Sequence, residues 1–348
     1  MPVSPFSQLD AAAVARTLSQ IAEQPDDLAD AYFERREDVE LQPESEGPGL
    51  RVLREEGFAV RLVRGGHTYF ASRDGIAGKP FGEAVRQVAR ALPAANYSEP
   101  ALAVAPWLET GETTGPASAA PASDLHQLAE FPALVARAIR AHHVGFPLHL
   151  TVRRHRRFLM VVGSRLAAEP QSETFYSCAA ELAWGRHGAL FPELTAGAAQ
   201  SLADACVALF RARNAPPAEL ANGVAVLGPA ATAVLLHEAV AHALEADTLA
   251  ATGRPEAALG LALGAPCLDV LDDPGAAPAG VRRTSDDEGS PVCRRWLLRR
   301  GIVEQPLADA LWSRLSPAYL PGAGRRGSRH LPPGPRSSHL ELLPGDAA

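Results

Sequence analysis

The sequence predicts a mixed α+β fold, and three features carry that prediction. Apolar residues recur at helical spacing at about residues 8–23, 81–92, 125–142 and 196–213. Runs rich in valine, leucine and aromatics lie between these segments, two or three together. With 348 residues, 47% of them hydrophobic and 21% charged, the chain can bury a sizeable core and is not disordered as a whole. The length suggests two domains, placed at 1–220 and 221–348.

In chain order, Leu9, Ala13, Leu18 and Ile21 share one side of the first helix. Between Ala31 and Ala71 the pattern changes to short strands: Leu50–Arg54, Phe58–Val63 and Thr68–Ala71, interrupted at Gly57 and joined by a hairpin turn at Gly65-Gly66. Phe81–Leu92 returns to a helix, with Val85, Val88 and Leu92 along its stripe, and completes a first α+β unit. Residues 93–123 are rich in Pro, Ala, Ser and Thr and read as a linker. A helix over Leu125–His142 follows, with His142-His143 at its dipolar C-terminal end. Strands come next at Leu148–Arg153, Arg157–Val162 and Thr174–Trp184. The basic run Arg153-Arg154-His155-Arg156-Arg157 then reads as a solvated hairpin tip. Ala196–Arg213 is an amphipathic helix that Ala215-Pro216-Pro217 stops. The segment from Ser316 to Ala348, full of Pro, Gly and Arg, is expected to be mobile or ordered only against a partner.

A net charge of -7 argues against a mainly electrostatic nucleic-acid binder. The four cysteines (Cys178, Cys206, Cys267 and Cys293) form no CxxC pair, so a zinc ribbon and a disulfide framework are both disfavoured. The start of the chain lacks a signal-peptide pattern, and the apolar run Val224–Leu236 is too short to span a bilayer. The expected setting is cytoplasmic, with no membrane partner.

The stretch that carries chemistry is Gly223–Asp247. Gly223–Leu227 reads as a buried strand, Gly228-Pro229 as a turn, and about Ala230–Ala246 as a helix holding His237, Glu238 and His242. Imidazoles ligate zinc, and a carboxylate beside them can take a proton from water. The spacing is HExxxH, not HExxH. On a regular helix positions i and i+5 point about 140° apart, so joint ligation by His237 and His242 requires a local widening such as a π-bulge. The alternative is an ordinary i,i+4 pair of Glu238 and His242. The flanking residues are apolar, which suggests that these polar groups are buried and partnered.

The run LLHEAVAHALEAD (Leu235–Asp247) resembles the core motif of the TldD/PmbA family of metallopeptidases, on the HExxxH-bearing TldD side. Ser285-Asp286-Asp287-Glu288-Gly289-Ser290-Pro291 resembles that family's DDEG loop, and the strand–turn–strand Trp296–Gln305 follows it. Gly322–Arg326 with His330-Leu331-Pro332, and Ala29–Phe33 with Gly57–Val63 nearer the start, resemble further family segments in the same order. The resemblance implies an N-terminal α/β domain of the TldD/PmbA type, then the HExxxH helix and a truncated β-rich C-terminal domain. It also implies a zinc peptidase acting on unfolded or leader-type precursor peptides, in a hetero-oligomer with a second, related subunit. His237 and His242 would ligate zinc and Glu238 would be the general base. Asp286, Asp287, Glu288 and Gly289 would shape the active-site loop, and His330 is a further candidate. The family's third ligand is a cysteine late in the C-terminal domain, and the sequence stops at Ala348 before a counterpart. Three expectations follow. A separate chain supplies the missing ligand; or Cys293, Glu245 or Asp247 substitutes for it; or the protein is a non-catalytic peptide-binding or scaffolding subunit.

Overall fold

The computed structural model describes residues 5–6, 9–41, 50–76, 78–92, 122–164, 170–216, 224–253 and 258–345, so most of the segment read as a linker at 93–123 lies outside the described residues. Six strands form one antiparallel sheet: β1 (Leu28–Leu41), β2 (Leu50–Arg64), β3 (His67–Asp74), β4 (His149–Gly163), β5 (Gln171–Leu182) and β6 (Gly185–Phe191), in the order β3-β2-β1-β4-β5-β6.

Alternation along these strands separates two faces. Ala31 and Phe33 of β1, with Phe58, Val60 and Leu62 of β2, pack under α1 (Ala11–Ser19) and α2 (Gly78–Arg90) through Val14, Leu18, Phe81, Val85 and Val88. Farther along the same face, Val39, Val152, Tyr176 and Cys178 meet Leu128, Phe131, Leu202 and Cys206 of α3 (Ala122–Ala141) and α4 (Ala196–Ala212). The intervening residues Asp30, Tyr32 and Glu34 point to the opposite face.

Two expectations about this sheet are corrected. Gly57 does not interrupt a strand: β2 runs through it, paired with Glu34. A side chain there would collide with the Arg73 carbonyl and the Arg329 side chain, so the glycine marks a close approach. The basic run Arg153–Arg157 is not a hairpin tip either. It lies in the middle of the continuous β4, whose alternation sends Arg154 into the helix-covered core against Glu37 (2.6 Å) and Arg157 to the other face against Glu34 (2.8 Å).

The remainder builds a smaller layer from α5 (Pro229–Leu235), α6 (Ala246–Ala251), α7 (Ala310–Leu315) and short strands. The strands are β7 (Val270–Asp272), β8 (Arg295–Arg299), β9 (Ile302–Val303), β10 (Gly324–Arg325), β11 (Gly334–Pro335) and β12 (Leu340–Leu342). One sheet has the order β12-β7-β8-β9, and β10 pairs with β11. Arg300 and Gly301 both have positive φ (52° and 75°) at the β8–β9 turn, as a tight hairpin requires. The core of this layer gathers Leu236, Ala241, Leu244, Val270, Leu297, Leu298 and Leu307.

Residues 316–345, from the segment expected to be mobile or ordered only against a partner, pack against the rest of the chain. Tyr319 and Ala323 are buried, and Arg326 and Arg329 reach the non-helical face of the main sheet. Arg326 bonds Asp30 (3.0 Å), and the Arg329 backbone N–H donates to Glu34 (3.2 Å). Arginine–carboxylate pairs with good geometry hold a Pro/Gly-rich segment whose composition alone reads as loose.

Candidate metal centre

Pro229 opens α5 at a position where its missing N–H is not needed, with Gly228 as the N-cap. After Leu235 the helix widens into a π-turn over Leu236–Ala241, and the His242 N–H donates to the His237 carbonyl five residues back. The extra residue in that turn removes the angular divergence of a regular helix. The His237 and His242 rings come to 4.4 Å between centroids, at 65° to one another. The ligand atoms of His237, Glu238 and His242 all lie within 4.8 Å of one another. Leu236, Ala241 and Leu244 anchor the opposite side in the core. The end of the segment is fixed to the chain before α7 by paired backbone bonds, Leu307 N–H to the Leu244 carbonyl (2.8 Å) and Ala246 N–H to the Leu307 carbonyl (2.9 Å).

Two imidazoles and a carboxylate converging at this range form a donor set that could hold a metal ion. Next to the π-turn, a cleft of about 630 Å³ is bounded by Leu227, Thr232, Leu236, His237, Ser338 and Leu340. One of its walls is β12, an edge strand of its sheet.

The burial expected of this motif is not found. His237 and Glu238 are exposed and His242 is half-buried. The expected buried strand at 223–227 is also absent: 224–228 is irregular, with Val224 and Val226 93% or more exposed, and Gly223 lies outside the described residues. Val234 and Leu235 are exposed as well. Apolar flanks mark a surface suited to cover, and among the described residues nothing covers it.

Of the proposed substitutes for a third ligand, Cys293 is not in the cluster; its sulfur lies 3.7 Å from Arg295. Glu245 instead accepts from the His242 ring, with Oε1 2.8 Å from Nδ1, and its other oxygen takes Arg336 Nη1 at 2.8 Å. Asp247 pairs with the same Arg336 at 3.2 Å.

The DDEG loop is a buried electrostatic joint. Asp286 closes its own turn by accepting the N–H groups of Glu288 and Ser290 (both 2.9 Å), and Gly289 has a φ of 80°. Its other oxygen takes the Gly324 N–H at 2.9 Å. Glu288 meets Arg61 (2.5 Å) and the Ala310 N–H (2.7 Å). Asp287 sits between Arg283 (2.7 Å) and Arg157 (3.0 Å) and accepts the Arg326 N–H (2.7 Å). Neither the loop nor His330 joins the histidine cluster. His330 lies against Asp74 (3.3 Å) and Ser72 (3.2 Å) on β3. Sequence reasoning names the segments that hold Arg61, Arg157 and Arg326 but does not connect these residues to the loop, because the contacts run far along the chain.

Asp309 caps α7 by accepting the Trp312 N–H at 2.8 Å. Burial, together with the nearby Glu288 charge, pushes its carboxyl up to about 7. The folded state therefore binds more protons than the unfolded chain between an unfolded pKa of 3.8 and about 7, and stability falls as pH rises through that window. Asp309→Asn keeps a capping oxygen and removes this titration. Its melting temperature is expected to match the wild type near the acid end and exceed it above the window, by about 2–4 °C for each kcal/mol recovered. Parallel pH profiles of melting temperature for the two proteins would refute this.

Comparison with known proteins places this geometry in a context. Residues 223–348 match the family model described as the PmbA/TldA metallopeptidase C-terminal domain. A metalloprotease TldD homolog of Haemophilus influenzae is 34% identical over 127 residues, covering 35% of this chain and 26% of the relative. Another, of Buchnera aphidicola subsp. Acyrthosiphon pisum, is 32% identical over 121 residues, covering 34% and 25%. The match thus spans about a quarter of the length of these curated relatives. Among solved structures, TldE of Thermococcus kodakarensis superposes with a TM-score of 0.65 at 15% identity, covering 95% of this chain and 77% of that one. A Thermotoga maritima protein described as a candidate modulator of DNA gyrase gives 0.61 at 14% identity, covering 96% and 77%. These likenesses extend the α+β fold over nearly the whole chain, and its residues 223–348, which hold the HExxxH segment, are similar to the C-terminal domain of PmbA/TldA metallopeptidases.

Proposed function

We propose that this chain is a zinc-dependent metallopeptidase subunit of the TldD type, working in a hetero-oligomer with a second TldD/PmbA-type subunit on unfolded or leader-type precursor peptides. The observation that carries the reading is the π-turn that gathers His237, Glu238 and His242 within 4.8 Å. His237 and His242 would hold the ion, and zinc when bound supplies Lewis-acid polarisation of a scissile carbonyl. Glu238, exposed beside both rings, is suited to take a proton from the attacking water on its carboxylate and pass it to the leaving amine. The open edge of β12 beside His237 suits main-chain pairing with an extended peptide, a recognition mode that needs little side-chain preference.

A second reading, a non-catalytic peptide-binding or scaffolding subunit, is favoured by one observation. Among the described residues the cluster holds only two imidazoles and Glu238, whereas catalytic zinc ordinarily takes three protein ligands. Zinc analysis after dialysis against a weak chelator separates the two readings. About one zinc per chain is expected in the wild type or its assembly with a second subunit, and none in His242→Ala. Chelator-sensitive cleavage of an unfolded peptide should track the zinc. An assembly that holds no zinc would leave the scaffolding reading.

A further inference from the structure

We propose that Glu245 is a positioning residue for the metal centre: it fixes which nitrogen His242 offers to the ion, and Arg336 fixes Glu245. The inference rests on the zinc reading above and names a role that this reading does not contain.

The geometry begins with the helix end. Directly after the π-turn, one tight 3₁₀ turn over His242–Leu244 brings the chain to Glu245, so the carboxylate lies back against the ring three residues earlier. Oε1 is 2.8 Å from His242 Nδ1. A neutral imidazole has one N–H, and an ionised carboxylate can only accept. The Glu245 contact therefore places the proton on Nδ1 and leaves the Nε2 lone pair for a metal. A free ring would divide between two tautomers and rotate, and only one of those states presents the ligating atom.

Glu245 is itself held. It is 3% exposed, and Arg336 Nη1 donates to its second oxygen at 2.8 Å. Both oxygens are thus engaged, which argues against Glu245 as the substitute third ligand. Arg336 also meets Asp247 at 3.2 Å, and it directly precedes Ser337 and Ser338 in the cleft wall shared with His237. Ser338 and His339 in turn donate their N–H groups to Asp272 (2.8 and 2.7 Å). One buried carboxylate therefore sets the orientation of a ligand and fastens the wall beside it.

Glu245→Gln tests the role sharply, because an amide has one accepting oxygen and one donating nitrogen. Arg336 carries only donors and claims the oxygen. The amide N–H then faces His242 Nδ1, which must accept, and the ring proton moves to Nε2, where it blocks ligation. The zinc affinity of the full chain, measured by competition with a chromophoric chelator, is expected to fall about 10–100-fold. Adding Arg336→Met to that variant frees the amide oxygen to turn towards Nδ1–H, so much of the affinity should return. A residue with a merely structural role would instead show additive losses, and that result overturns the proposal, as does wild-type affinity in Glu245→Gln. A second measurement needs no variant: ¹⁵N shifts of the metal-free wild type, above the histidine titration range, should place the His242 proton on Nδ1. A proton on Nε2 overturns the proposal on its own. If the wild type binds zinc no better than a His237→Ala/His242→Ala double variant, the zinc reading itself falls, and the positioning role falls with it.

Discussion

On the zinc-peptidase reading, Glu238→Gln is expected to lower peptide hydrolysis by about 10²–10⁴-fold, the range that a positioned general acid–base contributes, while zinc content stays at the wild-type level. Glutamine keeps the shape of the side chain and cannot take a proton. Glu238 follows His237 directly and is exposed beside the ring pair, within the 4.8 Å that encloses all three ligand atoms. That closeness leaves two roles open on distance alone, base or ligand, and the variant distinguishes them. A base lost to glutamine lowers kcat and leaves the metal in place. A ligand lost to glutamine lowers zinc occupancy and activity together. The measurement is therefore zinc content and kcat on the same preparation, with an unfolded peptide as substrate and any second subunit present. Unchanged hydrolysis would remove Glu238 from the mechanism.

The π-turn is the part of the site most legible in the sequence. HExxxH states a geometric conflict for a regular helix, and a widened turn resolves it; the observed His242-to-His237 backbone bond is that resolution. The paired strands and their covering helices were legible for a similar reason, since period-two and period-3.6 patterns are local. The basic run Arg153–Arg157 was not, because a strand interior and a hairpin tip share the same local composition. What places Arg154 and Arg157 inside are Glu37 and Glu34, more than 100 residues away, and for Arg157 also Asp287. The segment after Ser316 differs from its expectation on the same ground: its composition describes a loop, and distant partners hold it, among them those of Arg326 and Arg329. For Val224 and Val226 the sequence signals apolar surface, and the signal cannot say what covers it.

Asp287→Ala is expected to lower the unfolding free energy by about 3–5 kcal/mol, the range for removing one partner from a buried ion pair. Asp287 is fully buried between Arg283 and Arg157, one from its own loop and one from β4 of the main sheet. Deleting the carboxylate leaves both guanidiniums without the charge that they share. Glu173 reaches both of them and Glu34 reaches Arg157, which compensates in part and points to the lower end of the range. The acid limb of the stability curve supplies an independent reading. Burial acts to raise this carboxyl, but Arg157, Arg283 and Arg325 with the Arg326 N–H outweigh it and hold the group far below the usual carboxylate range. A depressed folded-state pKa contributes stability that is complete above the unfolded value of 3.8 and is lost as pH falls below it. Wild-type stability should therefore drop steeply in that acid region, and the alanine variant should drop less. The loss should also have a location. Arg157, Asp287 and Arg326 join β4, the DDEG loop and the segment after β10, so hydrogen exchange should rise first in that loop and in the residues around Arg326, ahead of the helix-covered core. Equal denaturant midpoints and equal acid slopes in the two proteins would show that this joint carries no net stability.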